Sequence, residues 1–323
     1  MILLYHKIAE DSYPTDRWYV GKGLPISCFK QQLLWLIRSR RIVSLKDYLD
    51  LTRYGTLPAK DVVAITFDDG IASTFRRVFP ILRLWAVPAT FFISTSHLEN
   101  GRMLWFSYLD ALCFESAYEE IKAGSSRFAL RSFEQRVLAR RSLGSLTRLS
   151  GHPKGFTDEL ADAYPLPASI TAEYVGMSYD QISLFNRYDG LEVGAHTVCH
   201  PYLDQLSTDK QAEEIFQSKS QLSELLGKPV RYFAYPNGDY NQSTLKLVKD
   251  AGFDAAFTTH PRNLGSRGPF EIERTGIYSM AFSRFWLKTQ GAVTAAHFVK
   301  RNARTVARLV GRKMYLTAGT KAG

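Results

Sequence analysis

The sequence predicts an α/β fold built on a parallel sheet, either a barrel or a doubly wound sheet, on three observations. Seven short apolar runs recur along the 323 residues. Most of them are separated by stretches with helical periodicity. Several are continuous rather than alternating, as strands buried on both faces of a parallel sheet read.

In chain order the runs are ILLY (2–5), VVAITF (62–67), ATFFIS (89–94), LEVGA (191–195), RYFAY (231–235), AAFTT (255–259) and IERTGI (272–277). Between the first two, SCFKQQLLWLIRSRR carries Phe29, Leu33, Leu36 and Ile37 on one helical stripe, with Ser27 as its expected N-cap. After the fourth, a helix opens at Ser207 and closes at Gly227 and Pro229, where glycine supplies the left-handed cap. STLKLVKDAG fills the next gap as a further helix. Strand and helix in alternation is the pattern of an α/β domain.

Residues 97–176 interrupt that rhythm. A stretch of about 80 residues without structure of its own would be unusual. The stretch is dotted with arginines (among them Arg127, Arg131, Arg136, Arg140, Arg141 and Arg148) and reads as mostly helical up to Ser150. It is expected to be a helical insertion over one face of the domain, either shaping a substrate groove or covering the sheet. The domain is thus expected over 1–291, with a tail over 292–323.

The charge is concentrated in that tail. The chain carries 41 Lys and Arg against 31 Asp and Glu, and the excess falls after Glu273, beyond which no acidic residue occurs. Phe298, Val299, Val306, Leu309 and Val310 recur at helical spacing, with Arg301, Arg304, Arg308 and Arg312 on the other side. Such a helix suits either an anionic membrane surface or packing on its own domain. Nucleic acid is not expected, since no recognition motif accompanies the charge. Three cysteines at unrelated spacings form neither a disulfide framework nor a thiolate metal site. No run approaches the roughly 20 apolar residues of a membrane span. The opening residues also lack the pattern of a secretory signal, so a cytoplasmic place is expected, at the inner face of the membrane if the tail binds there.

In parallel α/β barrels the active site gathers at the C-terminal ends of the strands. The residues directly after each run are therefore informative. After ILLY comes His6; after VVAITF, Asp68-Asp69-Gly70; after LEVGA, His196 and His200; after RYFAY, Pro236-Asn237-Gly238. His260 comes after AAFTT, and Arg274 lies within the last run. Adjacent carboxylates on a regular strand point to opposite faces, so two meet in one site only where the strand ends. Gly70 permits that departure. His196 and His200 with Asp69 would complete a His2Asp set holding Zn²⁺ or a similar divalent ion with positions left open. Pro201 disfavours helical geometry at His200, so the pair is expected to span a strand end and a tight turn. Trp105 and Phe106 suit a sugar ring or core packing equally; Cys199 and Asp239 read as packing and turn residues.

AITFDDG, GAHTVCHPYL and FAYPNG resemble the signature motifs of the family 4 carbohydrate esterases, the polysaccharide deacetylases. The resemblance covers about 200 residues in several blocks, leaving out the insertion and the tail. It implies a distorted (β/α)7 barrel and metal-dependent hydrolysis of the N-acetyl group of an amino sugar in a glycan substrate. Carried over, Asp68 matches the general base, and Asp69, His196 and His200 the metal ligands. The backbone N–H of Asn237 would then serve the oxyanion. Many members carry an arginine in the loop where this chain has FAYPNG, and Arg274 is the candidate to replace it in orienting the base. The late histidine motif of the family has no good match here. In the branch resembling the poly-N-acetylglucosamine deacetylases the motifs are circularly permuted, and Tyr5-His6 matches its general-acid motif. Two alternatives stand beside this reading: an amidase for a small non-sugar amide, and a glycan-binding pseudoenzyme.

Overall fold

A computed structural model describes residues 1–13, 23–53, 61–98, 101–260 and 268–290. Eight strands form one parallel sheet: β1 (Ile2–Tyr5), β2 (Val62–Phe67), β3 (Ala89–Ile93), β4 (Leu191–Ala195), β5 (Tyr232–Ala234), β6 (Ala255–Thr258), β7 (Ile272–Glu273) and β8 (Thr275–Gly276). Their spatial order is β7-β6-β5-β4-β3-β2-β1-β8, and a short strand, Arg41–Ile42, pairs with the start of β2.

The seventh apolar run explains how this sheet closes. It divides at Arg274: Ile272 pairs with Phe257 of β6, and Thr275 pairs with Leu3 of β1. One run of chain thus bonds to both ends of the sheet, giving the nearly closed (β/α)7 barrel that the resemblance implies. Every residue of β1, β2 and β3 is buried, which accounts for their continuous apolar sequences. Inside, Phe92, Tyr232 and Phe257 pack with Ala64, Ala234 and Ala255, large side chains set among small ones. Each buried aromatic of this kind contributes roughly 1.5–3 kcal/mol relative to exposure.

Helices α1 (Ile26–Ser39), α2 (Leu45–Arg53) and α3 (Ala72–Leu84) cover the first half of the barrel. Two details of α1 correct the sequence reading. The helix begins at Ile26, so Ser27 lies inside it rather than capping it; the N–H of Ser27 donates instead to Asp11 Oδ1 at 3.0 Å. Phe29, Leu33 and Leu36 are buried as expected, but Ile37 is exposed; the buried fourth position is Gln32, which receives the Tyr5 hydroxyl.

The insertion contains α4 (Trp105–Phe114), α5 (Phe133–Leu149) and α6 (Pro153–Ala163), packed on a core of their own around Leu109, Leu112 and Leu143. It is not wholly helical. Glu120–Ala123 and Ser126–Ala129 form an antiparallel hairpin through Gly124-Ser125, with Gly124 at φ +59°. A glycine in the first position of a two-residue loop is the turn such a hairpin requires. Beyond it, α7 (Thr208–Leu226) is capped by Ser207 and ends on Gly227 at φ +64°, as expected, and α8 (Gln242–Asp250) comes next.

The chain divides into two compact units, Met1–Tyr278 and Ser279–Gly323. In the second, Phe282–Thr289 is helical, and the basic tail expected over 292–323 lies outside the described residues. Among the described residues no helix is long and apolar enough to cross a membrane.

Candidate active site

The C-terminal strand ends of the barrel surround a cavity of about 190 Å³. Its lining includes His6, Asp68, Asp69, His196, His200, Asn237 and Arg274. The seven residues given a catalytic or metal-binding role in the sequence reading therefore share one cavity. His260, just past β6, is exposed and is not among the lining residues.

The sheet hydrogen bonds run one residue past two strands before the chain turns away. Asp68 N–H donates to Tyr5 O at 3.0 Å, and His196 N–H to Ile93 O at 3.0 Å. Beyond these points the backbone turns left-handed: Asp69 stands at φ +76°, Gly70 at +75°, Thr197 at +67° and His200 at +54°. The strain is larger than the sequence suggests, because Asp69 as well as Gly70 adopts it. Non-glycine residues in this region cost about 1–3 kcal/mol each and cluster at functional sites. At Gly70 a side chain is excluded twice over, since a Cβ would lie 2.9 Å from Ile93 Cγ2.

One donor atom from each of Asp69, His196 and His200 lies within 4.8 Å of the others, and all three residues are buried. His196 Nε2 is 3.7 Å from Asp69 Oδ1, and His200 Nε2 is 3.6 Å from the same oxygen. The tautomer of His196 is set by its neighbour. Nδ1 stands 2.7 Å from the carbonyl of Ala234, which can only accept, so Nδ1 carries the proton and Nε2 the lone pair. Two imidazoles and a carboxylate suit zinc or a similar divalent ion. The turn expected at Pro201 in place of a helix is present.

Asp68 is held separately. Arg274 donates Nη1 to Asp68 Oδ1 at 2.6 Å and Nη2 to Oδ2 at 2.7 Å, a bidentate pair, and its Nη1 also reaches Thr66 Oγ1 at 3.2 Å. Both side chains are almost fully buried. Asp68 Oδ2 lies 3.8 Å from His196 Nε2, so this carboxylate borders the histidine pair. The His6 ring stands 5.5 Å from that of Tyr278. Burial, and next the Asp68 carboxylate, push the Tyr278 phenol above its ordinary range. Asn237 occupies the turn Pro236–Gly238 at φ +57°, with Thr259 Oγ1 3.5 Å from its carbonyl.

Other residues support this centre without having been singled out for it. Glu214 on α7 accepts the N–H groups of Val198 and Cys199 at 2.8 Å each. Ser94 Oγ donates to His196 O at 2.7 Å. Trp105, which the sequence left between sugar stacking and packing, donates Nε1 to His200 O at 2.9 Å; the Phe106 ring lies 4.7 Å from the His200 ring. Both line the cavity together with Asp110, Arg140, Glu173 and Tyr174, so the insertion forms one wall of the site. Lys7 also lines it, with Nζ 3.7 Å above the Tyr174 ring; burial lowers its amine to about 8. The Cys199 thiol is pushed up to about 12 by burial and next by Glu214.

The fold and site define a parallel α/β-barrel protein with a candidate divalent-metal centre at the C-terminal mouth of the barrel. The family model for polysaccharide deacetylases matches residues 56–133 and 170–256, about half of the chain, and the chain belongs to that family. The poly-beta-1,6-N-acetyl-D-glucosamine N-deacetylase of Staphylococcus aureus (strain MRSA252) is 28% identical over 159 residues, 46% of this chain and 53% of that protein. The chain spans about half the length of the curated relatives it matches. Among solved structures, the Streptococcus pyogenes deacetylase PplD in complex with acetate superposes with a TM-score of 0.56 at 22% identity, covering 85% of this chain and 91% of that one. IcaB from Ammonifex degensii also gives 0.56 at 22% identity, covering 90% and 96%. These likenesses establish the barrel, and they agree with the resemblance read from the motifs.

Proposed function

We propose that this protein is a zinc-dependent hydrolase that removes acetyl groups from N-acetylhexosamine units of a polysaccharide or a lipid-linked saccharide. The observation that carries the reading is the juxtaposition of two units in one cavity: a buried Asp69–His196–His200 set, and an Asp68 carboxylate held by Arg274 beside it. Membership of the polysaccharide deacetylase family and the likeness to a poly-beta-1,6-N-acetyl-D-glucosamine N-deacetylase support the choice of substrate class.

Asp69, His196 and His200 would hold the metal. When bound, the ion supplies Lewis-acid chemistry, polarising the acetamide oxygen and making water a better nucleophile near neutral pH. Asp68 accepts the proton of the attacking water, which forms a C–O bond to the acetamide carbon. The bidentate arginine keeps both carboxylate oxygens aimed. The negative charge that develops on the acetamide oxygen is met by the N–H of Asn237; a donor of this kind is typically worth about 2.7–4 kcal/mol of barrier. His6 gives a proton to the amide nitrogen as the C–N bond breaks. The products are acetate and a free amino sugar.

The test is acetate release from N-acetylglucosamine oligomers in β-1,6 and β-1,4 linkage, beside a panel of simple amides. Turnover of the oligomers that is lost in Asp68→Asn supports the reading. Turnover of the simple amides alone would move the assignment to an amidase. Glycan binding without turnover in either protein would make it a binding protein. From the basic segment 292–323 we further propose that the enzyme works at an anionic membrane surface. Flotation with anionic liposomes, with and without those residues, tests that placement: co-flotation that depends on them supports it, and the absence of co-flotation opposes it.

A further inference from the structure

A loop that carries two metal ligands must fix both imidazoles; this one is braced from within by Thr197, whose Oγ1 accepts the N–H of His200 at 3.0 Å, and from outside by its neighbours. Between His196 and His200 stand Thr197, Val198 and Cys199, and the backbone is left-handed at both Thr197 and His200. Three elements grip it. Ser94 at the end of β3 holds the carbonyl of His196, and Trp105 of the insertion holds the carbonyl of His200. The stretch between the ligands is held from two sides: after β3, Thr95 and Ser96 donate their N–H groups to Thr197 O at 3.2 Å and Val198 O at 2.9 Å, and on α7 one atom, Glu214 Oε2, accepts from Val198 N and Cys199 N at 2.8 Å each.

We propose that Glu214 is the positioning residue of the metal centre: by holding the middle of this loop it sets the spacing of the His196 and His200 imidazoles and hence the affinity for the ion. The inference rests on the metal part of the proposed function. Three features support it. First, Glu214 is carried by a 19-residue helix capped at both ends, so its anchor is rigid. Second, the carboxylate is partly buried, and among the described residues no Lys, Arg or His lies within ion-pair distance of it. It therefore spends its charge on backbone N–H groups, which bind a carboxylate more strongly than a neutral acceptor. Third, its contacts are to the residues between the ligands and not to the imidazoles, so it acts through loop geometry. Groups that orient ligands from outside the metal's own shell typically govern metal affinity by about 10–100-fold.

The experiment measures zinc affinity of the full chain by competition with a chromophoric chelator, together with the Co²⁺ absorption spectrum and the melting temperature of the metal-free protein. Glu214→Ala is expected to bind zinc about 10–100-fold more weakly and to shift the Co²⁺ spectrum, with metal-free melting little changed. Glu214→Gln, which keeps an acceptor oxygen in the same place, should recover most of that loss. Glu213→Ala, an exposed neighbour on the same helix, should leave affinity unchanged. Wild-type zinc affinity with an unchanged Co²⁺ spectrum in Glu214→Ala would overturn the proposal. Should that variant not fold, Glu214→Asp decides in its place, because its carboxylate is withdrawn by one methylene and wild-type affinity there would be equally fatal. A wild-type protein that binds no zinc removes the metal reading itself, an outcome distinct from normal wild-type binding that Glu214 does not affect.

Discussion

Arg274 and Asp68 lie 206 residues apart in sequence and meet through two parallel hydrogen bonds of 2.6 and 2.7 Å in the buried floor of the cavity. Barrel closure creates the contact. Arg274 is the residue between β7 and β8, where the chain passes from one end of the sheet to the other, and Asp68 directly follows β2, which β1 separates from the edge strand β8.

Truncating the arginine leaves a buried carboxylate without its cation. Arg274→Met is expected to destabilise the protein by about 3–5 kcal/mol, the usual consequence of removing one partner of a buried pair. Arg274→Met/Asp68→Asn should regain part of that stability, since the uncompensated charge is gone, while remaining inactive. Urea unfolding of the wild type, both single variants and the double variant measures the coupling. Additive losses would mean that the pair is not energetically joined.

Asp68→Asn separates proton transfer from metal binding. Its rate of acetate release should fall by about 10²–10⁴, the range expected for loss of a general base, with zinc content unchanged. Loss of zinc in this variant would place Asp68 among the ligands.

His6 answers to the leaving group. His6→Ala should lose turnover of N-acetyl sugars by about 10²–10⁴, because an amine must be protonated as it leaves. The same variant should hydrolyse an activated aryl acetate nearly as well as wild type, since a phenolate departs without a proton. Equal losses on both substrates would contradict a general-acid role.

A buried histidine beside Gly70 and Gly176 makes stability depend on pH. His97 is fully buried, neither ring nitrogen has a hydrogen-bond partner among the described residues, and burial lowers it from 6.5 to about 3. The folded state therefore resists a proton that the unfolded chain accepts. The contribution is complete above pH 6.5 and is lost as pH falls towards 3, at about 1.4 kcal/mol per unit from this group. Denaturant unfolding at several pH values should show a shallower acid slope in His97→Leu than in wild type; identical slopes would refute the assignment.

The strands and the chemistry at their ends were legible because both are local in sequence. Continuous apolar runs mark strands buried on both faces, and an ionisable residue directly after such a run has few other places to go. Ser207 and Gly227 were legible for the same reason, as the cap signals sit beside the helix they end. Ser27 misled because Asp11, from a different turn, supplies the acceptor at that helix start. The hairpin through Gly124 was hidden by the mostly helical pattern of the stretch around it, although Gly-Ser between EIKA and SRFA was its signal. Glu214 left no mark at all: it is one of several acids on an amphipathic helix, and only the tertiary fold turns it to the loop between His196 and His200. Arg274 could be nominated from its place in the last run, but its partnership with Asp68 depends on closure of the sheet.

The central claim is a metal centre at Asp69, His196 and His200, and elemental analysis of purified protein tests it most directly. After washing with a weak chelator, wild type should hold about one divalent ion per chain and His196→Ala almost none, as three-ligand zinc sites depend on each ligand. A wild-type protein that is empty and takes up no added zinc, or a His196→Ala variant that retains a full complement, would contradict the account.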